Sequence, residues 1–193
     1  MYSTLGLTVT DRISLRRSLA LDIALVAGAS LVLAGLAQIR IYLPFTPVPV
    51  SAQTLGVLLI AAVLGSRRGV AAVITYILEG IVGLPFFAGG NAGLGVLTGV
   101  TGGYLIGFVV AAAVVGYMAE RGLDRKWWSA LTAFLTGTVI IYAFGATGLA
   151  AIVGWQNAFT AGVLPFLLGD AFKIILAAIL LPSAWALIRR WER

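Results

Sequence analysis

The 193-residue chain contains no cysteine and no histidine. The missing cysteine rules out disulfides and thiol chemistry, and the two absences together remove the usual transition-metal ligands. They also remove the commonest general base, so neither a Ser–His nor a Cys–His nucleophilic site can be assembled within the chain. Charge is scarce too: 10% of the residues are Asp, Glu, Lys or Arg, against about 25% in soluble domains. What is abundant is apolar, 61% of the residues, with a mean hydropathy of +1.05. This composition describes an all-α integral membrane protein, one domain over residues 1–193 with no room for a separate soluble unit. No catalytic residue, metal or cofactor is expected. The net charge of +6 would suit nucleic acid, but the basic residues sit at segment ends and read as topology signals.

Apolar segments predict six helices, over about 19–39, 52–66, 69–84, 103–119, 127–153 and 164–188. The first is too long for a signal-peptide core and no clear small-residue cleavage site follows it, so it reads as a retained helix. The second and third are short and joined by a hairpin, Gly65-Ser66-Arg67-Arg68-Gly69. The fifth is long enough to tilt, or to break at Gly145 or Gly148. Trp127, Trp128 and Trp155 read as interfacial anchors, and residues 155–162 as a short polar turn.

Two connections are unusual. Between the first two helices Pro44, Pro47 and Pro49 forbid regular helix. Residues 85–103 are rich in glycine yet interspersed with Phe86, Phe87, Leu94, Val96 and Leu97. Irregular backbone at membrane depth is tolerated where it is buried in protein or lines a cavity. A dinucleotide-binding reading of these glycines lacks a preceding strand.

The basic residues fix an orientation. With both termini inside, eleven of the thirteen lie on the cytoplasmic side: Arg12, Arg16, Arg17, Arg67, Arg68, Arg121, Arg125, Lys126, Arg189, Arg190 and Arg193. Arg40 alone falls outside, and Lys173 lies within the membrane. Asp170 and Lys173 are three residues apart on the last helix and therefore share a face. Ionisable groups at that depth face the bundle interior and mark function, or else form a buried pair that only ties helices together. Glu79 is placed at similar height. With the Pro-rich and Gly-rich loops on the same outer side, these groups suggest an outward-facing pocket.

Several stretches carry a resemblance: Leu43-Pro-Phe-Thr-Pro-Val-Pro-Val-Ser-Ala-Gln-Thr-Leu55, Gly83-Leu-Pro-Phe-Phe-Ala-Gly-Gly90, Gly93-Leu-Gly-Val-Leu97, Thr101-Gly-Gly-Tyr-Leu-Ile-Gly-Phe108 and Gly169-Asp-Ala-Phe-Lys173. In this order they are similar to the BioY family, the biotin-specific substrate-binding (S) components of energy-coupling factor (ECF) transporters. The similarity runs over roughly residues 19–188. Where the family often has Gly-Pro-Thr-Gly-Gly, this chain has Gly99-Val-Thr-Gly-Gly103. The resemblance implies a six-transmembrane-helix S-component bundle, N-in and C-in, in a prokaryotic plasma membrane. It implies capture of biotin from outside, with a transmembrane coupling (T) component and two cytoplasmic ATPases as partners. It also implies a small-residue surface on the first helix for the coupling partner, here Ala20, Ala24 and Gly28, a spacing that equally serves ordinary helix packing.

Biotin offers two ureido N–H groups, a ureido carbonyl, an apolar thioether ring and a carboxylate tail. Asp170 can accept from the N–H groups. Lys173 can pair with the tail or hold Asp170 ionised, and those roles compete. Asn91 and Gln53 are amide candidates, against roles as a turn residue and a helix cap. Arg40 is a second candidate for the tail, against snorkelling. Tyr104 and Phe86 can wall the thioether ring. Three other readings stand beside this one: an S component for another small vitamin, a channel or structural membrane subunit, and an intramembrane enzyme. The unbroken apolar run 176–181 opposes a channel, and no Asp pair or Ser–Lys dyad supports an enzyme.

Overall fold

The computed structural model describes residues 4–6, 8 and 19–190, with side chains as far as 187. Its helices are α1 (Leu19–Gln38), α2 (Gln53–Ile81), α3 (Gly95–Thr98), α4 (Gly102–Glu120), α5 (Trp127–Val153), α6 (Trp155–Gly162) and α7 (Leu164–Arg190). A 3₁₀ turn, Leu123–Arg125, joins α4 to α5, and two short strands, β1 (Arg40–Ile41) and β2 (Val50–Ser51), lie between α1 and α2. Five helices are long and apolar enough to cross a membrane: α1, α2, α4, α5 and α7. Among the described residues five helices therefore stand where the sequence predicts six.

The difference lies in α2. Its regular backbone is interrupted at Gly65, where φ is 82° and ψ is 178°, a combination essentially confined to glycine. The Gln53 amide nitrogen donates to the Tyr76 hydroxyl at 2.6 Å. In a straight helix those residues would stand about 35 Å apart, at 1.5 Å per residue. Beyond the break Gly69 packs on Ala61, where an added Cβ would come within 2.9 Å of the Ala61 Cα. So α2 doubles back as two antiparallel arms, with the reversal inside the predicted hairpin. Glu120, at the end of α4, accepts from both the backbone N–H and the hydroxyl of Ser66 at 2.8 Å. It thereby caps the second arm, whose first N–H groups have no partner of their own.

One other expectation changes, and one alternative is decided. Residues 155–162 form a helix, α6, rather than a turn. And α5 runs unbroken through Gly145 and Gly148. These glycines serve close approach: Gly148 lies against the Gly103 backbone and Gly145 against the Tyr104 ring. Contact faces built from small residues let backbones come together where no hydrophobic force separates protein from lipid. The core accordingly holds many alanines, among them Ala34, Ala61, Ala72, Ala111 and Ala177. Large apolar side chains such as Leu78, Val82, Leu168 and Phe172 point outward, as suits a lipid-facing surface.

The two ends of the bundle differ. One carries the α2 reversal and the α4–α5 turn, with an Arg68–Asp22 ion pair at 2.6 Å and the Trp185 indole N–H donating to Asp124. Arg67, Arg121, Arg125 and Lys126 are at this end as well. Arg12, Arg16, Arg17 and Arg193, and the side chains of Arg189 and Arg190, lie outside the described residues. The opposite end carries both unusual connections. The Pro-rich segment is closed at its base by β1 and β2, antiparallel with Arg40 opposite Ser51 and Ile41 opposite Val50. Thr46 pins its tip by donating to the Ala161 carbonyl in α6. The Gly-rich segment is pinned by Gln38, whose amide nitrogen faces the carbonyls of Phe86 and Phe87 at 3.3 and 3.2 Å, and by a Gly93 N–H to Gly80 carbonyl bond of 2.8 Å.

Candidate functional site

Between these two anchored loops and the helices below them lies a cavity of about 270 Å³, near the lower end of the size range of small-molecule sites, about 300 Å³ and upward. One cluster of its polar residues comes from four elements. Asp170 and Lys173 lie one helical turn apart on α7, Thr54 and Gln53 open α2, Ser51 ends β2, and Tyr142 sits midway along α5.

Asp170 is 3% exposed and nearly saturated with donors. Its Oδ1 accepts from Lys173 Nζ at 2.7 Å and from the Thr54 hydroxyl at 3.1 Å. Its Oδ2 accepts from the Tyr142 hydroxyl at 2.6 Å. Lys173 donates also to the Ser51 carbonyl at 2.6 Å and to Thr54 Oγ1 at 3.1 Å. A buried charge is costly unless it is paired and hydrogen-bonded. Here the pair closes on itself through Thr54, and it ties α7 to the start of α2.

Gln53 belongs to a second chain of hydrogen bonds. Its Oε1 accepts from the Ser51 hydroxyl at 3.0 Å, its Nε2 donates to Tyr76, and Tyr76 donates to the Phe86 carbonyl at 3.3 Å. The side chain does not cap α2; Ser51 Oγ accepts the Gln53 N–H at 3.3 Å. Asn91 lines the cavity from the Gly-rich loop and donates through Nδ2 to the Ala88 carbonyl at 2.7 Å. Tyr104 gives its hydroxyl to the Gly162 carbonyl at 2.7 Å, so it faces the cavity as a ring. Phe87, Leu105, Phe108, Ile141 and Phe166 complete an apolar wall.

Five of the residues singled out in the sequence, Asp170, Lys173, Asn91, Gln53 and Tyr104, therefore come together on one cavity. Three do not line it. Arg40 sits at the rim, where its Nε donates to the Tyr42 hydroxyl at 3.1 Å and its guanidinium lies 5.3 Å from the Tyr42 ring. Tyr42 and Asn91 are lining residues, and Gly89 packs among all three. In place of Phe86, the neighbouring Phe87 turns inward, 2% exposed and edge-on to Tyr76 with ring centroids 5.6 Å apart. Glu79 is away from the cavity, with Oε2 buried and without a hydrogen-bond partner among the described residues.

Thr54 and Tyr142 carry as much of the site as the residues the sequence points to. A signal for Tyr142 did exist: a tyrosine deep in an apolar helix, away from the interfaces where tyrosines usually anchor, needs a polar partner.

The family model for the BioY family matches residues 9–190. A biotin transporter BioY of Rhizobium etli is 41% identical over 149 residues, covering 72% of this chain and 79% of its own. One from Thermotoga maritima is 41% identical over 141 residues, covering 72% and 82%. A probable biotin transporter BioY of Lysinibacillus sphaericus is 31% identical over 183 residues, covering 91% and 92%. Among solved structures, the crystal structure of the S-component for biotin from an ECF-type ABC transporter is similar with a TM-score of 0.77 and 23% identity, over 85% of this chain and 90% of that one. At that identity the likeness speaks for the fold.

Proposed function

This chain belongs to the BioY family, and we propose that it is the biotin-capturing S component of an ECF-type uptake transporter. The observation that carries the proposal is the Asp170–Lys173 pair, buried in an apolar-walled cavity. A transport subunit for a small polar vitamin needs such a site, and an inert helix pair has no use for the cavity beside it.

The ureido ring enters first and gives an N–H to Asp170, while Asn91 and Gln53 offer amide groups around the ring. Tyr104 and Phe87 flank the thioether. Lys173 spends its bonds on Asp170, Thr54 and the Ser51 carbonyl, which favours the role of holding Asp170 over that of meeting the carboxylate tail. The tail then lies toward the rim, with Arg40 as its cation. Glu79 has no part in this arrangement. A site that matches each buried polar group rejects analogues that leave one unpaired.

Counting the two arms of α2 separately gives six crossings in a prokaryotic plasma membrane. Both termini are then cytoplasmic, the basic end of the bundle faces inward and the cavity faces out. Ala20, Ala24 and Gly28 are exposed on α1, and nothing lies within 4 Å of where a Cβ would stand on Gly28. That stripe is offered to the transmembrane coupling component, which joins the chain to two cytoplasmic ATPases. The test is uptake of labelled biotin by a biotin-auxotrophic host carrying the chain together with its coupling module. Accumulation that disappears with Asp170→Asn supports the proposal, and accumulation no greater than in the empty host contradicts it.

A further inference from the structure

We infer that Tyr142 and Thr54 set the ligand specificity of the site by rationing the acceptor positions of Asp170, so that the carboxylate takes one N–H donor and turns away a cationic, donor-rich analogue. The inference rests on the biotin reading above. A carboxylate offers about four lone-pair positions, two on each oxygen. Oδ1 of Asp170 has both filled, by Lys173 and by Thr54. Oδ2 has one filled, by Tyr142. One position is left, on an oxygen whose residue lines the cavity.

That single vacancy matches a cyclic urea. The two N–H groups of such a ring diverge on opposite sides of its carbonyl, so one carboxylate oxygen can meet only one of them. A cyclic guanidine of the same shape differs in two ways. It replaces the carbonyl acceptor with further N–H donors, which pair best with a carboxylate open at both oxygens, and it adds a positive charge. Asp170 is closed at Oδ1. Asp170 and Lys173 are also the only charged side chains among the described residues lining the cavity, and they lie 2.7 Å apart. An added cation would therefore meet no uncompensated anion.

Tyr142 and Thr54 act through Asp170 and are positioning residues. Tyr142→Phe vacates a position on Oδ2, and Thr54→Val vacates one on Oδ1. The test is calorimetric titration of the purified chain and of each variant with biotin and with iminobiotin, at a pH where the guanidino group is protonated. The wild type is expected to prefer biotin by at least about a hundredfold, and each variant to narrow that ratio by at least about tenfold. A residue that only supports the structure would weaken both ligands alike and leave the ratio where it was. An unchanged ratio in both variants, or in the one that folds if the other does not, overturns the inference, as does a wild type that fails to discriminate. Narrowing in either variant supports it. A wild type that binds neither ligand contradicts the biotin reading itself, whereas biotin binding with an unchanged ratio contradicts only the rationing.

Discussion

Gln53 and Tyr76 stand 23 residues apart in the chain and are joined by a 2.6 Å hydrogen bond. That bond ties the two arms of α2 together just beneath the cavity. Gln53 lines the cavity, Tyr76 is fully buried, and Phe87 packs against the Tyr76 ring. Fold and site are therefore linked through one side-chain pair. Tyr76→Phe removes the hydroxyl and leaves Gln53 Nε2 without that acceptor. An unsatisfied buried donor costs about 1–3 kcal/mol, and a fall in thermal unfolding temperature in detergent, with weaker biotin binding, is the expected outcome.

Asp170→Asn and Lys173→Ala should each weaken biotin binding by at least about tenfold, about 1.4 kcal/mol, with the bundle still folded. Lys173→Ala also leaves a buried carboxylate without its cation, so it should lower stability more than Asp170→Asn does. Titration together with thermal unfolding separates the two effects.

The reversal at Gly65 gives a prediction confined to the far end of the bundle. An alanine there would hold a backbone conformation that costs about 1–3 kcal/mol. Its Cβ would also approach Glu120 Oε1 within 2.7 Å. Gly65→Ala should reduce stability by that order while the folded fraction binds biotin as the wild type does. Titrations normalised to folded protein check this.

Asp124 predicts a pH dependence. It lies in the 3₁₀ turn and is 2% exposed, and its Oδ1 has no hydrogen-bond partner among the described residues. Burial raises its pKa, while the Trp185 N–H, the local backbone and Arg125 pull the other way. A carboxyl whose pKa is raised on folding favours the folded state while protonated, and that contribution is lost as pH rises through the raised value. Stability should therefore decline with rising pH in the interval above the ordinary carboxylate pKa. Asp124→Asn keeps an acceptor for Trp185 and should flatten the decline, as read from unfolding temperatures in acidic and neutral buffers.

The sequence made the membrane character, most helix positions and the α7 pair legible, because each depends on local pattern: long apolar runs, glycine at the reversal, and two ionisable residues one turn apart. What it hid depends on tertiary approach. Tyr142 and Thr54 meet Asp170 from distant parts of the chain, and no spacing announces that. Phe86 and Phe87 are neighbours in a loop without periodicity, so nothing local says which turns inward. The polar stretch 155–162 read as a turn because its residues suit an interface, yet one apolar face was enough to make it α6. Gly145 and Gly148 read as points of weakness because glycine permits both a break and a close approach, and only the neighbouring helix decides between them.

The most direct test of the account is calorimetric titration of the detergent-purified chain with biotin, with an analogue lacking the ureido group as control. One-to-one binding of biotin is expected, with no heat from the control and binding at least about tenfold weaker in Asp170→Asn. Folded protein that gives no heat with biotin, or that binds the control equally well, would contradict it.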